Sequence, residues 1–394
     1  MEWKEQNVVD QRKEFVTRAF EKKKPFVELC REFGIPPKTG YKWKNRFEQF
    51  GWSGLEDASR RPKSHPNKLS EDVICEAIQL KNNHRHWGAK KIRKLLQNNH
   101  PGTKPPSESS LKRLFEKAGL VKKRKKRRVT GAKRISDRRE PTGPNDIWTV
   151  DFKGWWRSAD QLKCEPLTVR DLFSRYLLIV KPLEDGKAET VRKQFGRLFK
   201  RYGMPTMIRS DNGPPFACTR ALLGLTHLAA WWVSLGIELD RITPGRPQEN
   251  GAHERMHRDI SMEVQREVDG DLDTCRNALE LWRREYNEVR PHEALDMATP
   301  ASVYRKSKRK YRGSPEQIEY PLGWYSRRIR KDGYLKFKGD TIFISSALRG
   351  DEIGLRNLGD GRFELWFCEL KSGVLDPRCA VFVPDTEPPT RKAP

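Results

Sequence analysis

Residues 144–156 read PNDIWTVDFKGWW. Aromatic and β-branched side chains crowd this stretch, as strands favour, and one carboxylate, Asp151, stands among them. Alternation along a strand puts Ile147, Thr149 and Asp151 on one face and Trp148, Val150 and Phe152 on the other. A carboxylate in such a strand is costly to bury unless it is paired or holds a cation.

Downstream, "PLTVRDLF" and "RYLLIVKPL" follow across a short turn, so the three strands are expected to form an antiparallel meander. "AETVRKQFGRLFKRYG" has helical amphipathicity and ends at Gly203. A strand "PTMIRSDNG", an apolar helix "ALLGLTHLAAWWVSLG", a strand "IELDRIT" and a long helix from near Gln248 complete the region. The order β-β-β-α-β-α-β-α describes an open mixed sheet with helices on its faces, over residues 141–303.

Upstream, the charge changes. The chain carries a formal net charge of +26. Residues 1–140 hold 37 Lys and Arg against 17 Asp and Glu, a surplus of 20 in the first third, which implies a polyanionic partner there. "FVELCREFGIPPKTGYKWKNRFEQFG" places Val27, Cys30, Phe33 and Ile35 at helical spacing, then a turn with Gly34 and two prolines, then a basic helix. That is a helix-turn-helix within residues 1–60, with Lys38, Thr39, Tyr41, Lys42 and Lys44 as candidate DNA contacts. An ordinary helical hairpin is the alternative. After "SRRPKSHPN", residues 68–121 give a second, winged-helix-like three-helix module, with Lys112 and Arg113 on its last helix.

The run "KKRKKRR" at 122–128 lies in a basic linker, 122–140, that reads both as a solvated connector and as a phosphate-tracking arm through Lys123, Arg124, Lys126 and Arg127. Beyond the core and a second basic connector at 304–313, residues 314–385 carry short strands and turn signals expected of a small, partly open β-barrel. The seven cysteines include no Cys-x-x-Cys pair, which argues against a disulfide framework or zinc knuckle. His84, His86 and Trp87 read as surface or cap residues. No apolar run of about 18 residues occurs, so no membrane partner is expected, and the chain reads as cytoplasmic and nucleoid-associated.

Asp211 ends "MIRSD" before an Asn-Gly turn, where open α/β sheets place ligand-binding groups. Each aspartate has a structural alternative: an Asx turn for Asp211, and pairing with Lys153 or an arginine for Asp151. "PGRPQENGAHERMHR" at 244–258 offers two glutamates, Glu249 and Glu254. Glu249 falls in the turn entering the helix, where the helix dipole favours an acid. Glu254, inside the helix, shares a face with His257 and Arg258 and is held rigidly enough for a metal site. Lys153 and Arg258 suit phosphate contacts or salt bridges equally. Asp171 reads as structural, paired with Arg170 or Arg175.

"WTVDFKGW", "YGMPTMIRSDNGPPF" and "PGRPQENGAHERMHRDI" closely resemble the three catalytic blocks of retroviral-integrase-like transposases of bacterial insertion sequences. The resemblance covers nearly the whole chain and implies a ribonuclease-H-like core with an Asp-Asp-Glu metal triad: Asp151, Asp211 and Glu254. It further implies two Mg²⁺ ions, replaceable by Mn²⁺, double-stranded DNA at transposon ends and target as partner, and a homo-oligomer on DNA. The implied activity is strand cleavage followed by strand transfer. The interval of 43 from Asp211 to Glu254 exceeds the family's usual one, so an insertion near "LLGLTHLAAWW" is expected. A DNA-binding regulator with an inactive core, or a plain nuclease of ribonuclease H type, would share parts of this pattern. The first has no need of all three carboxylates, and the second has no need of two DNA-reading modules.

Overall fold

The computed structural model describes residues 7–57, 69–121, 138–243 and 247–385. The chain divides into two compact units, Met1–Ser70 and Glu71–Pro394. The run 122–128, with Lys123, Arg124, Lys126 and Arg127, lies outside the described residues.

The first unit holds α1 (Val8–Glu21), α2 (Phe26–Glu32) and α3 (Pro37–Phe50), packed around Phe15, Val16, Leu29, Cys30, Trp43 and Leu55. Pro37 opens α3, where a missing N–H costs nothing. Gly40 lets α3 approach its neighbours closely: a Cβ there would lie 2.6 Å from Cys30 Sγ. Val27 departs from the sequence reading. It is 49% exposed, because Leu29 and Cys30 set the buried stripe of α2.

In the second unit, α4 (Glu71–Asn83), α5 (Ala89–Asn99) and α6 (Glu108–Lys117) enclose Trp87, Ile92, Leu96, Leu111 and Phe115. The Ser107 hydroxyl caps α6 by accepting from Ser110 N at 3.1 Å. Trp87 is 2% exposed and stacks on His84, with ring centroids 4.0 Å apart, so it is a core residue rather than a surface one. Its module sits on the sheet domain through His84 Nδ1 to Glu285 Oε1 (3.0 Å) and Lys90 Nζ to Glu293 Oε2 (3.1 Å).

The sheet domain contains β1 (Ile147–Phe152), a hairpin of β2 (Trp156–Arg157) and β3 (Lys163–Cys164), then β4 (Pro166–Asp171) and β5 (Leu177–Pro182). Next come α7 (Ala188–Tyr202), β6 (Met207–Ser210), α8 (His227–Ser234) and β7 (Glu238–Arg241). The strand order is β5-β4-β1-β6-β7. β1, β4 and β5 are antiparallel, while β1, β6 and β7 run parallel. Trp148 and Val150 face α7 and α8 in one apolar cluster, as the strand alternation requires. This is the ribonuclease-H-like arrangement. The sequence reading lacked the β2–β3 hairpin, which interrupts the meander.

The expected long helix is broken. A 3-10 turn, Pro247–Asn250, leads into α9 (Gly251–Ile260), which continues through a π-helical turn, Ser261–Gln265; after a gap comes α10 (Leu272–Glu288). A short α11 (Pro300–Val303) follows. Arg290, 1% exposed, donates to Asp259 Oδ2 at 3.0 Å and also pairs with Glu263, fastening the end of α10 to α9 and the π turn.

The C-terminal strands are β8 (Tyr325–Arg328), β9 (Tyr334–Phe337), β10 (Asp340–Phe343), β11 (Glu352–Asn357), β12 (Phe363–Phe367), β13 (Leu370–Asp376) and β14 (Val381–Pro384). They form no closed barrel, in keeping with the partly open arrangement expected. β8 and β14 are the edges of an open sheet, order β14-β13-β12-β11-β8, and β9–β10 form a separate hairpin. The apolar face is covered by Leu335, Phe337 and Ile342 of that hairpin together with Leu222, Leu223, Leu225, Ala229 and Ala230 of the sheet domain. Residues 221–226 are therefore not part of the predicted apolar helix. That helix starts only at His227, with Thr226 as its cap, accepting from Ala229 N at 3.1 Å. Within the interval of 43 from Asp211 to Glu254, Leu222–Leu225 form a tongue that docks the C-terminal sheet.

Among the described residues, no helix is long and apolar enough to cross a membrane.

Candidate functional site

Asp151 lies near the carboxyl end of β1, and Asp211 directly follows β6. Parallel pairing sets Thr149 opposite Arg209. Two residues on, the same offset brings Asp151 level with Asp211 on strands roughly 4.8 Å apart. Glu254 is the fourth residue of α9, in its first turn and exposed. Its charge reaches the pair: Asp151 is pushed up to about 7, first by burial, then by Asp211 and by Glu254. Asp151 and Asp211 thus stand at the carboxyl ends of two neighbouring strands, with the charge of Glu254 adding to the shift on Asp151.

Cationic relief is missing. Among the described residues no Lys or Arg pairs with any of the three, and the nearest basic nitrogen to Asp151 is His257 Nδ1 at 3.9 Å from Oδ2. Asp211 Oδ1 is buried without a hydrogen-bond partner, and burial holds this carboxyl above its usual range. Gly213 allows the turn to fold tightly over it, since a Cβ there would lie 3.2 Å from Asp211 Oδ2. Asn212 pins the same turn by donating to Ile242 O at 2.6 Å. Ser210 Oγ donates to Asp211 O at 3.0 Å. A buried carboxylate oxygen with no donor, beside two more acids, suits a hard, oxygen-seeking cation.

Beneath the acids runs a polar network absent from the sequence reading. Thr168 Oγ donates to Asp151 O at 2.8 Å and lies 2.7 Å from His253 Nε2 and 2.8 Å from His257 Nε2. A hydroxyl has one proton to give, so both imidazoles must donate from Nε2. His253 Nδ1 then accepts from Thr149 Oγ at 2.9 Å. His257 Nδ1 keeps a lone pair facing Asp151. Burial lowers His257 to about 3, helped by Lys153 and Arg170, and holds His253 well below its usual value, so both rings are neutral.

Asp151, His253 and His257 bring ligand atoms within 4.8 Å of one another. His253 has both nitrogens engaged by threonine hydroxyls, however, which leaves it no lone pair for an ion. Arg170, 1% exposed, donates to Ala252 O at 2.7 Å and so ties the first turn of α9 to β4. The signals available in sequence were the i,i+4 spacing of the two histidines and the threonines on one face of β1 and β4.

Glu249 is spoken for elsewhere. It accepts from Thr243 N at 2.8 Å and pairs with Arg138 at 2.6 Å; although burial opposes this, the two donors hold its carboxyl below the usual range. Asp171 accepts from Asn145 N at 2.7 Å and from Ser174 N at 2.8 Å. Its partners are backbone amides and a hydroxyl rather than the expected arginines. Lys153 is half-buried, with Nζ 3.4 Å from Gln265 Oε1, and Arg258 is exposed. On α3, Lys38, Tyr41 and Lys42 are exposed, while Thr39 and Lys44 are half-buried. Lys112 and Arg113 are exposed on α6, Lys112 pairing with Glu108.

The fold and these modules match known families. Residues 141–247 and 235–300 match integrase core domains, residues 11–63 a helix-turn-helix domain, and residues 39–115 a homeodomain-like domain. A 39.2 kDa protein of insertion element IS476 from Xanthomonas euvesicatoria is 29% identical over 63% of this chain and 69% of its own length. A 31.7 kDa protein of insertion element IS407 from Burkholderia multivorans is 26% identical over 64% and 88%. Among solved structures, the HTLV-2 integrase catalytic core domain in complex with magnesium aligns at 19% identity, covering 42% of this chain and all of that one, with a TM-score of 0.33. A simian T-cell lymphotropic virus intasome aligns at 16% identity over 73% and 95%, with a TM-score of 0.38.

Helix-turn-helix modules ahead of an integrase core define a DNA-recombination class of protein. In sequence the chain resembles the integrase-like transposases of insertion sequences.

Proposed function

We propose that this protein binds the ends of an insertion element and, at Asp151, Asp211 and Glu254, cleaves the DNA strand and joins the freed 3′-hydroxyl to target DNA. The observation that carries the reading is Asp151 buried beside Asp211 with no Lys or Arg partner, its carboxyl pushed up to about 7 by burial first and then by Asp211 and Glu254. Asp151, Asp211 and Glu254 would hold two Mg²⁺ ions, or Mn²⁺ in their place. Such ions supply an activated water and neutralise charge on the attacking and leaving oxygens.

The chain's own residues do the holding and reading. Thr168, His253 and Arg170 fix α9 against the sheet, and on this reading that helix carries Glu254 to the aspartates. Lys153 and Arg258 flank the acids and would take DNA phosphates. The exposed residues of α3, with Thr39 and Lys44 beside them, and Lys112 and Arg113 on α6 would read the ends, with the 122–128 cations tracking the backbone between. Five parts divide this work: 1–60, 68–121, the linker 122–140, the core 141–303 and the C-terminal sheet 314–385. Joining two ends at one target asks for a homo-oligomer on DNA, acting in the cytoplasm on the nucleoid.

The test is incubation of the protein with labelled end DNA and Mg²⁺. Asp151→Asn, Asp211→Asn and Glu254→Gln should bind as wild type but neither nick nor join. A wild type that binds and never nicks would instead establish the regulator with an inactive core. Activity lost in Glu249→Gln but kept in Glu254→Gln would overturn the choice of glutamate.

A further inference from the structure

Four residues beyond Asp151 the chain exposes Trp155, whose ring is 57% accessible. A span of four residues bounds its Cα to within about 14 Å of that of Asp151. The hairpin that follows has two unlike faces. One is sealed: Trp156 and Cys164 pair across the strands and pack into the cluster of Cys275, Leu279 and Trp282. Its tip is tied down by Ala159 N to Gly270 O at 2.8 Å and Leu272 N to Asp160 Oδ2 at 3.4 Å.

The other face is open and cationic. Arg157 and Lys163 stand directly opposite each other in register, a like-charge pairing that Glu165 relieves in part by accepting from Lys163 Nζ at 2.6 Å, while Arg157 donates to Gln161 O at 2.8 Å. Both flank the exposed ring, Arg157 Cζ at 5.9 Å and Lys163 Nζ at 6.0 Å from the Trp155 centroid. The hairpin is thus rigid from behind and presents a bare indole between two cations in front.

We infer that Trp155, between Arg157 and Lys163, is a stacking platform for an unpaired nucleobase of the DNA beside the carboxylates, with the two cations taking its flanking phosphates. Stacking on an exposed aromatic ring is open to any base, and the cations add the backbone attraction that single strands require. A paired base inside duplex DNA shows no free face, so the platform selects a frayed or single-stranded end. The inference rests on reading the carboxylates as a DNA-cleaving centre, but its test does not depend on cleavage.

The experiment measures binding of the full chain, without divalent ions, to a 24-nucleotide single strand carrying 2-aminopurine and to its blunt duplex. Trp155→Ala should weaken single-strand binding about tenfold and abolish the 2-aminopurine quench, while duplex affinity stays within about twofold. Trp155→Phe should keep most of the quench. Equal losses on both DNAs would reduce the site to a phosphate contact, and no loss on either would remove it; both outcomes overturn the proposal. A change of oligomeric state in Trp155→Ala without DNA would assign the ring to a protein contact and overturn it too. Failure of the cleavage reading shows separately, as a wild type that stacks the base yet never nicks.

Discussion

The Thr168 hydroxyl lies 2.7 Å from His253 Nε2 and donates to the carbonyl oxygen of Asp151, so one side chain of β4 holds both the strand of the first acid and the helix of the third. Thr168→Val leaves two buried imidazole N–H groups without an acceptor. The expected loss is roughly 2–4 kcal/mol, read by urea unfolding, with Thr168→Ser recovering most of it. A valine variant as stable as wild type would remove the network from the account of the site.

Asp151 gives a pH dependence whose sign is fixed. Its carboxyl titrates at about 7 in the folded protein and near 4 in the unfolded chain. Between these values the folded state binds the extra proton, so its contribution to stability is full at low pH and is lost as pH rises through 7. In chelator, melting temperature should therefore fall from pH 5 to 8, by the equivalent of roughly 2–4 kcal/mol. Asp151→Asn should flatten the slope, and Mg²⁺ should raise the wild-type curve at pH 8. A slope unchanged in the asparagine variant would place the titration elsewhere.

Glu249 and Glu254 should separate cleanly. Glu249→Gln weakens the pair with Arg138, whose side chain is 16% exposed, and should cost about 1–2 kcal/mol while strand joining persists. Glu254→Gln should do the reverse. Parallel melts and joining assays decide it.

Arg290 balances Asp259 and Glu263 and lies 5.3 Å from the Trp87 ring. Arg290→Ala strands two acids on α9 and its π turn, at a cost of about 3–5 kcal/mol. Lysine cannot span both carboxylates and should restore only part. Limited proteolysis should show the 71–121 module loosening in step, and an alanine variant with wild-type resistance would contradict the coupling.

Removing residues 314–385 should uncover Leu222, Leu223 and Leu225, of which Leu225 is fully buried in the intact chain. The shortened protein is expected to bind a hydrophobic dye and to associate in gel filtration. A monodisperse, dye-silent fragment would mean that the tongue has another cover.

The order of elements along the core, the helical modules and the two aspartates at the strand ends were legible because period and turn chemistry announce them. What escaped reading had other causes. The strands β2 and β3 have two residues each and no period. Leu222–Leu225 is an apolar run whose conformation is set by the partner it covers, so it passed for helix. His253 lies one residue from Glu254, yet its role depends on hydroxyls from β1 and β4 that only the fold brings near.

The leucine tongue also orders events in time. Leu225 finds its cover partly in Leu375, 150 residues later, which a ribosome adds roughly 10–30 s afterwards. Until then the Leu222–Leu225 stretch lacks that part of its cover. A nascent chain can therefore complete its helical modules well before the turn between Asp211 and Glu254 has its full cover.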